Sequence, residues 1–160
     1  MKQLNKNYLN RYSRQIVLKN VGLSGQKKIS SSKVFIVGAG GLGSPIVDLL
    51  CRAGVGEIGI IDYDKVSLSN LNRQTLFNSN DINKYKVKVL KQKLNKINPL
   101  VKINIFNKKI DKKNINYFIS KYQIIVDASD NFETKFLLNK KSIEFKKKLI
   151  VGAPTINFFL

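Results

Sequence analysis

A glycine-rich run at residues 38–43 has the composition of a loop that binds phosphate through its main chain. Gly38 allows a tight turn, and Gly40 and Gly41 let a phosphate group approach the backbone. Gly43 permits close packing between the following helix and the preceding strand. A strand-like apolar run precedes the loop and a helix-like run follows it, and the N–H groups at a helix start attract anions. The run therefore predicts a nucleotide phosphate site.

Asp62 lies about 20 residues beyond Gly43, at the end of a second predicted strand, 57–61. A carboxylate at this position accepts hydrogen bonds from ribose hydroxyls. The alternative interpretation is a tight turn and an aspartate that only caps a helix. A nucleotide site is favoured because the strand, the three glycines and the aspartate all occur at the expected spacing. These residues alone do not distinguish ATP from a nicotinamide dinucleotide, so an NAD-dependent oxidoreductase stays open at this point.

A long polar loop follows the second predicted strand and favours ATP. A dehydrogenase usually passes quickly from this strand to its next helix, whereas here residues 62–75 intervene. The loop carries Asn70, Arg73 and Gln74 over the nucleotide edge of the sheet, and Lys86 lies on the following predicted helix. Transfer chemistry at a triphosphate needs cations near the departing phosphates, and an arginine and a lysine supply them.

The segment 127–131 closes the fourth predicted strand at the carboxyl edge, where ligands bind in such sheets. Asp130 in this segment is a candidate ligand of Mg²⁺ bridging phosphate oxygens. Simpler interpretations exist for each residue. Asp130 would cap a helix that begins at Asn131, Arg73 would be a solvated loop charge, and Lys86 would be one of many surface lysines. Their shared context favours the functional interpretation.

Six motifs in chain order together resemble the ThiF/MoeB/HesA family, whose members are relatives of the ubiquitin-activating enzymes. The likeness extends from about Tyr8 to the end of the chain. The residues that carry it are Arg11-Tyr12-Ser13-Arg14-Gln15-Ile16, Gly38-Ala39-Gly40-Gly41-Leu42-Gly43, Asp62-Tyr63-Asp64, Ser69-Asn70-Leu71-Asn72-Arg73-Gln74, Lys86 and Asp127-Ala128-Ser129-Asp130-Asn131.

The resemblance implies roles for individual positions. Four charged residues form the implied catalytic set: Arg14, Arg73, Lys86 and Asp130. In a homodimer of this family, Arg14 reaches from the partner subunit into the ATP site, and Asp130 serves Mg²⁺ through ATP. Contacts with ATP are implied for Gly38, Gly40, Gly41, Gly43, Asp62, Asn70, Arg73, Gln74, Lys86, Asp130 and Asn131.

The reaction implied by the resemblance is the adenylation of a ubiquitin-like sulfur-carrier protein, ThiS-like or MoaD-like. The C-terminal glycine carboxylate of the carrier attacks the α-phosphorus of ATP and yields an acyl-adenylate and pyrophosphate, in thiamine or molybdopterin biosynthesis. No protein nucleophile is needed for this step, so catalysis consists of positioning and charge neutralisation. Two alternatives remain: an NAD-dependent oxidoreductase, and a truncated, noncatalytic nucleotide-binding module.

The elements that must position these residues alternate between strand and helix, which predicts an α/β, Rossmann-like, mostly parallel doubly wound sheet. We expect an N-terminal helical segment, 1–32, and an ATP-binding domain, 33–160, in which the chain stops early in a sixth strand, 157–160. The other predicted strands are 34–37, 57–61, 101–106, 124–126 and 149–151. The predicted helices are 8–18, 24 to 28 or 29, 44–53, 84–97, 112–121 and 131–145.

The C-terminal strands of full-length family members, and their two Cys-x-x-Cys zinc pairs, are not in this sequence. With one cysteine, Cys51, and no histidine, we expect no zinc site. Cys51 falls on the apolar side of the first Rossmann helix, where a buried small residue is expected. Three explanations for so short a chain remain open. It is a fragment of a longer protein, the product of a shortened gene, or one half of a protein that needs a partner chain.

The formal net charge of +19 invites a nucleic-acid interpretation, but only four of the 29 basic residues are arginines. The lysines are scattered and accompany many asparagines and isoleucines, which is typical of a compositional bias. No basic segment is interleaved with stacking aromatics, so we expect no specific nucleic-acid partner. No apolar run is long enough to cross a bilayer and no secretory signal is visible, so the expected location is the cytoplasm, with no membrane partner.

Overall fold

Strands and helices alternate along the chain in the computed structural model, which describes residues 6–152. The helices are α1 (Lys6–Ile16), α2 (Gly22–Ser31), α3 (Gly43–Ala53), α4 (Lys86–Ile97), α5 (Ile115–Lys121) and α6 (Phe132–Glu144). The strands are β1 (Lys33–Val37), β2 (Glu57–Ile61), β3 (Lys102–Phe106), β4 (Ile124–Asp127) and β5 (Lys148–Val151). The predicted sixth strand, 157–160, lies outside the described residues.

The five strands form one parallel sheet in the order β3-β2-β1-β4-β5. The order reverses between β1 and β4, which is the point where such sheets bind ligands. Val37 pairs with Ile61 on one side and with Asp127 on the other, so the three strands end at the same level. The predicted Rossmann-like fold is confirmed.

Alternating side chains build a core on each face of the sheet. Ile36 and Ile58 belong to the core that is covered by α3 and α4. Phe35 and Ile61 belong to the core on the other face, where α5 and α6 contribute Phe118 and Leu138, among others. Helices therefore cover both faces of the sheet, and the ends of the strands stay open to a ligand.

Four predicted helix starts were wrong by two or three residues. Helices α1 and α2 begin two residues earlier than predicted, at Lys6 and Gly22, and α4 and α5 begin later, where local turn chemistry competes with the helix. Helix α2 begins at Gly22, so Ser24 lies inside it and is not the N-cap. Tyr85 is extended, which delays α4 to Lys86. The side chain of Asp111 accepts hydrogen bonds from the N–H groups of Lys113 and Asn114 and holds a turn, which delays α5 to Ile115.

Buried amides attach the N-terminal helices to the rest of the chain. Asn98, wholly buried after α4, donates through Nδ2 to the Tyr12 hydroxyl at 2.9 Å and to the Cys51 carbonyl at 2.8 Å. Gln26 donates through Nε2 to the carbonyl of Ala53 at 3.0 Å. Gly54 follows α3 in the left-handed backbone conformation, and a Cβ at this position would clash with the ring of Tyr12. These contacts place α1 and α2 at the amino ends of the strands.

Cys51 is wholly buried on α3, which confirms the prediction of a small buried residue. Its thiol lies 3.5 Å from the carbonyl oxygen of Leu94. Burial, followed by the nearby charge of Asp48, raises the pKa of the Cys51 thiol to about 11. The thiolate form is therefore scarce at neutral pH, and the native thiol is unreactive. Among the helices described, none has the length and hydrophobicity needed to span a membrane.

The central position of Asn98 generates a stability prediction. Asn98→Ala leaves the buried Tyr12 hydroxyl without this partner and removes one of the two donors to the Cys51 carbonyl, the other being the Gly54 N–H. The free energy of unfolding should therefore fall by about 1–3 kcal/mol. Urea denaturation measures it. Asn139→Ala, on the exposed face of α6, is the matched control and should change stability by less than about 0.5 kcal/mol. Equal midpoints for the two variants would contradict the assigned role of Asn98.

Candidate functional site

A cleft of about 640 Å³ opens at the carboxyl ends of β1, β2, β3 and β4. Its walls come from the glycine loop, the long loop after β2, the first residue of α4, and the loops that follow β3 and β4. Ten predicted site residues line it: Gly38, Gly40, Gly41, Asp62, Asn70, Arg73, Gln74, Lys86, Asp130 and Asn131. Gly43 and Arg14 do not line it.

The glycine loop is held in a conformation that only small residues permit. Gly38 has a φ of +98°, and a Cβ at this position would lie 2.6 Å from the carbonyl oxygen of Ala128. Gly43 begins α3, where a Cβ would overlap the carbonyl oxygen of Gly38. Gly40 and Gly41 lie between them and face the cleft. The start of α3 therefore packs against the end of β1, and the backbone at Gly40 and Gly41 stays exposed to the cleft.

Asp62 fixes the loop after β2 relative to the glycine loop. Its Oδ2 accepts a hydrogen bond from the Ala39 N–H at 2.7 Å, and its Oδ1 accepts one from the Asp64 N–H at 2.7 Å. Both contacts are charge-assisted, which makes them stronger than ordinary hydrogen bonds. A carboxylate oxygen has more than one lone pair, so these contacts leave acceptor capacity for the ribose hydroxyls that we expect there.

Arg73 extends across the glycine loop. A Cβ at Gly41 would lie 3.6 Å from the Cγ and Cδ atoms of Arg73, so the aliphatic part of this side chain covers the loop. Its Nη1 donates to the Ser69 carbonyl at 2.9 Å and to the Asn72 side-chain oxygen at 3.1 Å. The guanidinium has five N–H groups, so donors remain for a phosphate.

Asn70 and Gln74 differ in what they offer a ligand. The side-chain oxygen of Asn70 accepts a hydrogen bond from the Ser67 N–H at 3.2 Å and stabilises the loop. Gln74 is buried at the cleft, and its Oε1 has no hydrogen-bond partner among residues 6–152. A buried acceptor without a donor is costly. The Nε2 of Gln74 lies 3.8 Å from the position of a Cβ at Gly40, so its amide N–H groups are next to the glycine loop.

Lys86 is buried at the first position of α4, and its ammonium lies 3.0 Å from Oδ2 of Asp64. The alternative of a surface lysine is wrong, because only 6% of its side chain is exposed. A buried ammonium needs a paired carboxylate, and Asp64 both neutralises and aims it. The sequence motif included Asp64, but no role was predicted for it.

Asp130 is exposed at the cleft and forms no ion pair with any described residue. The cap of α6 is Asn131, whose side-chain oxygen accepts a hydrogen bond from the Thr134 N–H at 2.9 Å, so the alternative of Asp130 as cap is wrong. No group of three or more acidic, cysteine or histidine side chains occurs within residues 6–152. A single carboxylate fits Mg²⁺ whose other ligands are phosphate oxygens and water.

Two lysines that were not predicted, Lys108 and Lys109, also line the cleft. They follow β3 at the same edge of the sheet, and Lys109 reaches Glu133 on α6 at 3.8 Å. Their position directly after a predicted strand was a usable signal, because every strand of a parallel sheet ends at this edge. The general excess of lysine obscured it.

Arg14 lies at the opposite edge of the sheet from the cleft. Its neighbour Arg11 donates to the Ile97 carbonyl before β3, and Gln15 donates to the Ala53 carbonyl before β2. Each strand between these anchors and the cleft has five residues and spans about 16 Å at about 3.3 Å per residue. Arg14 is exposed. It therefore lies on a surface that is remote from the cleft of its own chain.

The model of the ThiF family matches residues 12–156. The sulfur carrier protein adenylyltransferase of Thermus thermophilus is 39% identical over 148 residues, which are 92% of this chain and 55% of that protein. The adenylyltransferase and sulfurtransferase MOCS3 of Aedes aegypti is 41% identical over 151 residues, 94% of this chain and 35% of that protein. The chain thus spans about half, or less, of the length of these relatives.

A solved structure of the E. coli tRNA N6-threonylcarbamoyladenosine dehydratase TcdA in complex with ATP has the same fold. The TM-score is 0.89 at 25% sequence identity, and the match covers 97% of this chain and 65% of that one. A structure of the same dehydratase in complex with AMP gives a TM-score of 0.90. These likenesses agree with the α/β architecture built around the cleft.

The crowding at Gly43 predicts that an alanine is less well tolerated there than at Gly40. Gly43→Ala forces the Gly38 carbonyl and the start of α3 apart, so it should lower the free energy of unfolding by about 1–3 kcal/mol and weaken ATP binding. A Cβ at Gly40 makes only an ordinary contact, 3.8 Å from Nε2 of Gln74, so Gly40→Ala should leave stability nearly unchanged. Urea denaturation and calorimetric ATP titration measure both effects. Equal stability of the two variants would count against the tight helix–strand approach.

Proposed function

We propose that this chain, which belongs to the ThiF family, is an ATP-dependent adenylyltransferase. Its second substrate would be the C-terminal glycine carboxylate of a ubiquitin-like sulfur-carrier protein, ThiS-like or MoaD-like. Relatives named for sulfur-carrier and molybdopterin-synthase adenylylation support this substrate class. The product would enter thiamine or molybdopterin biosynthesis, and the cytoplasm is the compartment we infer for it.

The observation that carries the proposal is the set of charges around the glycine loop. Arg73 covers the loop, buried Lys86 lines the same cleft, and Asp130 is an unpaired carboxylate at its edge. A nicotinamide cofactor would use the glycine loop and Asp62 but would give Arg73 and Lys86 no role. ATP uses all of them, because departing pyrophosphate needs cations.

In the proposed step a carboxylate oxygen of the carrier glycine forms a bond to the α-phosphorus, and the bond from that phosphorus to the bridging oxygen breaks. The bonding electrons stay on the leaving pyrophosphate, whose growing charge Arg73 and Lys86 neutralise. The ion pair with Asp64 holds the Lys86 ammonium in place at the cleft. No side chain of the protein becomes a covalent intermediate. The role of the fold is to hold the reactants in line.

Magnesium would be held by Asp130 together with phosphate oxygens. When bound, Mg²⁺ supplies positive charge to the phosphates and orients them. The amide N–H groups of Gln74, next to the glycine loop, fit a phosphate oxygen, because phosphate oxygens at neutral pH are acceptors.

Arg14 would act in a homodimer, on the ATP site of the partner subunit. The contacts of Arg11 and Gln15 hold α1 at the amino edge of the sheet, away from the cleft of the same chain. An arginine that is exposed there can reach an ATP site only if that site belongs to another copy. The residue implied by the family motif therefore requires self-association to function.

Carrier-dependent exchange of labelled pyrophosphate into ATP tests the proposed reaction. Wild type should catalyse exchange with a ThiS-like or a MoaD-like carrier, and Arg73→Ala should lower the rate about 10²–10³-fold, the usual loss for one donor that stabilises transition-state charge. Arg52→Ala is the matched control, because Arg52 is exposed on α3, pairs with Asp48 and does not line the cleft. It should retain full activity.

Two results would count against the adenylyltransferase. A folded protein that binds ATP but shows no exchange with either carrier would indicate the noncatalytic nucleotide-binding module. Tighter binding of NAD than of ATP, with no effect of Arg73→Ala on that binding, would indicate the oxidoreductase. Calorimetric titration of both nucleotides on wild type and Arg73→Ala distinguishes these outcomes.

The role of Asp130 predicts a magnesium phenotype. Asp130→Asn removes one charged ligand of the ion, so the Mg²⁺ concentration for half-maximal exchange should rise about tenfold or more. Asp48→Asn, which changes an aspartate on α3 outside the cleft, is the control and should leave the Mg²⁺ titration unchanged. An unchanged Mg²⁺ titration for Asp130→Asn would exclude this residue from the metal site.

A further inference from the structure

Strand β3 forms one edge of the sheet, and its outer side pairs with no strand within residues 6–152. The Lys102 N–H donates to the Gly56 carbonyl, so residues 102, 104 and 106 pair with β2. The N–H and carbonyl groups of Ile103 and Ile105 point the other way and bond to no described residue. Ile103 is buried, whereas Ile105 is half-buried and more open. An unpaired row of this kind is a template for another strand.

A groove of about 400 Å³ lies along the outer side of β3. Strand β3 lines it with residues 102 and 104–106, the end of α5 forms one wall, and α4 contributes a lysine. None of its lining residues belongs to the cleft at the carboxyl ends of the strands, so it is a separate surface. We call it the β3 groove. Its charged and hydroxyl-bearing side chains are Glu57, Lys91, Lys102, Tyr117, Lys121 and Tyr122.

The β3 groove carries three ammonium groups and one carboxylate. The carboxylate of Glu57 is already satisfied, because it accepts a hydrogen bond from Asn104 Nδ2 at 2.7 Å and lies 3.5 Å from the Lys102 ammonium. Lys91 and Lys121 form an ion pair with no residue in the described part of the chain. The groove therefore has an excess of positive charge and attracts an anionic ligand.

The lysines of the β3 groove come from both faces of the sheet. Lys102 and Lys121 belong to the face that α5 covers, where Asn104 of β3 bonds to the Tyr122 hydroxyl. Lys91 belongs to α4, which covers the other face. Side chains of a strand point alternately to the two faces, so a strand added to β3 would meet a lysine on each side. Acidic residues at consecutive positions of that strand therefore suit the groove.

Tyr122 supplies a buried hydroxyl to the groove. The residue is 2% exposed, and its hydroxyl accepts a hydrogen bond from Asn104 Nδ2 at 3.3 Å but donates to no described residue. Gly59 makes room for it, because a Cβ there would overlap the hydroxyl. Burial raises the pKa of Tyr122, so the proton is retained at neutral pH. A carbonyl or carboxylate oxygen of a ligand is the acceptor that this proton lacks.

The aromatic side chains of the groove favour a peptide over a nucleic acid. Tyr117 is 55% exposed, but the Lys121 ammonium lies 3.8 Å from the centre of its ring. Tyr122 stacks on Phe35, with ring centroids 5.1 Å apart. Single-stranded nucleic acids bind by stacking bases on open aromatic faces, which these contacts occupy. The unpaired main chain of β3, by contrast, is complementary to the main chain of another peptide.

A second copy of this chain is a poor occupant of the groove. Two paired β3 edges would bring Lys102 and Lys121 close to the same lysines of the other copy, and like charges oppose strand pairing. Each copy also has a formal net charge of +19. The lysines that oppose self-pairing attract a strand that carries carboxylates. Charge therefore selects the kind of partner.

We propose that the β3 groove binds an extended acidic segment of a partner protein, which pairs with the outer side of β3 as an added strand. The main chain of the segment bonds to the outward groups of Ile105, and one of its oxygens accepts the Tyr122 proton. Its carboxylates lie against Lys91, Lys102 and Lys121. The contact does not depend on the proposed adenylation, because the groove and the cleft share no lining residue.

A labelled peptide of three Glu-Glu-Val-Val repeats is the probe, because paired glutamates place carboxylates on both faces of an extended chain. Fluorescence anisotropy in 0.1 M salt measures its binding to the wild-type chain. A control peptide has proline in place of each valine, which keeps the charge but removes half of the main-chain N–H donors. The proline peptide should bind about tenfold more weakly. Equal binding of the two peptides would show attraction by charge alone and would overturn the added strand.

Charge reversal of two lysines tests the assigned surface. Lys91→Glu with Lys121→Glu should weaken binding of the valine peptide about tenfold or more, because like charges then face the peptide. Lys27→Glu with Lys140→Glu is the matched control, since both lysines are exposed, on α2 and α6, and the net charge changes equally. This control should bind almost like wild type. Equal weakening in both double variants would assign the binding to the overall charge of the chain and overturn the groove.

Hydrogen exchange locates the peptide on the sheet. At saturating valine peptide the Ile105 N–H should exchange about tenfold more slowly or less, because strand pairing removes it from water. The Val151 N–H, on β5 at the other edge, should exchange as before. Tyr122→Phe keeps the ring, removes one donor and should weaken binding about threefold or more. Unchanged exchange at Ile105 in the peptide complex would overturn the proposal.

Two further measurements distinguish the other occupants. A single-stranded RNA of twelve nucleotides should bind more weakly than the valine peptide. Tighter RNA binding that is lost in the Lys91→Glu, Lys121→Glu variant would make the groove a nucleic-acid site and overturn the proposal. Sedimentation with and without the valine peptide tests the second copy. Dimers of wild type that the peptide dissociates would assign the β3 edge to self-association, and they would overturn the proposal as well.

Discussion

Parallel pairing of β1 with both β2 and β4 is the constraint on which the cleft depends. Val37 is in register with Ile61 and Asp127, so three loops of very different sequence begin at one level. The helices that follow β1 and β4 depart to opposite faces of the sheet, which leaves a crevice between them. Without this pairing the glycine loop, the polar loop after β2 and the Asp130 segment would have no common surface.

The cleft is already organised by the protein's own charges. Asp62 holds the glycine loop, Asp64 holds Lys86, and the main chain around Ser69 holds Arg73. Groups that are positioned before a ligand arrives need no reorganisation when charge develops, which is the main way that enzymes stabilise leaving groups. The carboxylate of Asp130 lines the same cleft and forms no ion pair within residues 6–152.

Sequence reasoning located the sheet and most of the cleft, because hydrophobic periodicity and glycine spacing are local signals. It placed α4 and α5 too early, since the turns at Tyr85 and Asp111 depend on hydrogen bonds that periodicity does not contain. It also missed the pairing of Lys86 with Asp64 and the location of Lys108 in the cleft. Those contacts join residues from different loops, and a composition rich in lysine gives no indication of which lysines are buried or gathered together.

The sequence by itself determined the glycine loop after β1, the aspartate at the end of β2 and the family, because each of these depends on residue types at short, regular spacings. Only the tertiary structure decided where Arg14 lies. The contacts of Tyr12 with Asn98 and of Gln15 with the Ala53 carbonyl hold α1 at the far edge of the sheet. Tertiary packing also decided that β3 forms an edge of the sheet, with lysines of α4 and α5 beside it. Long-range packing sets both features, and no pattern of neighbouring residues encodes it.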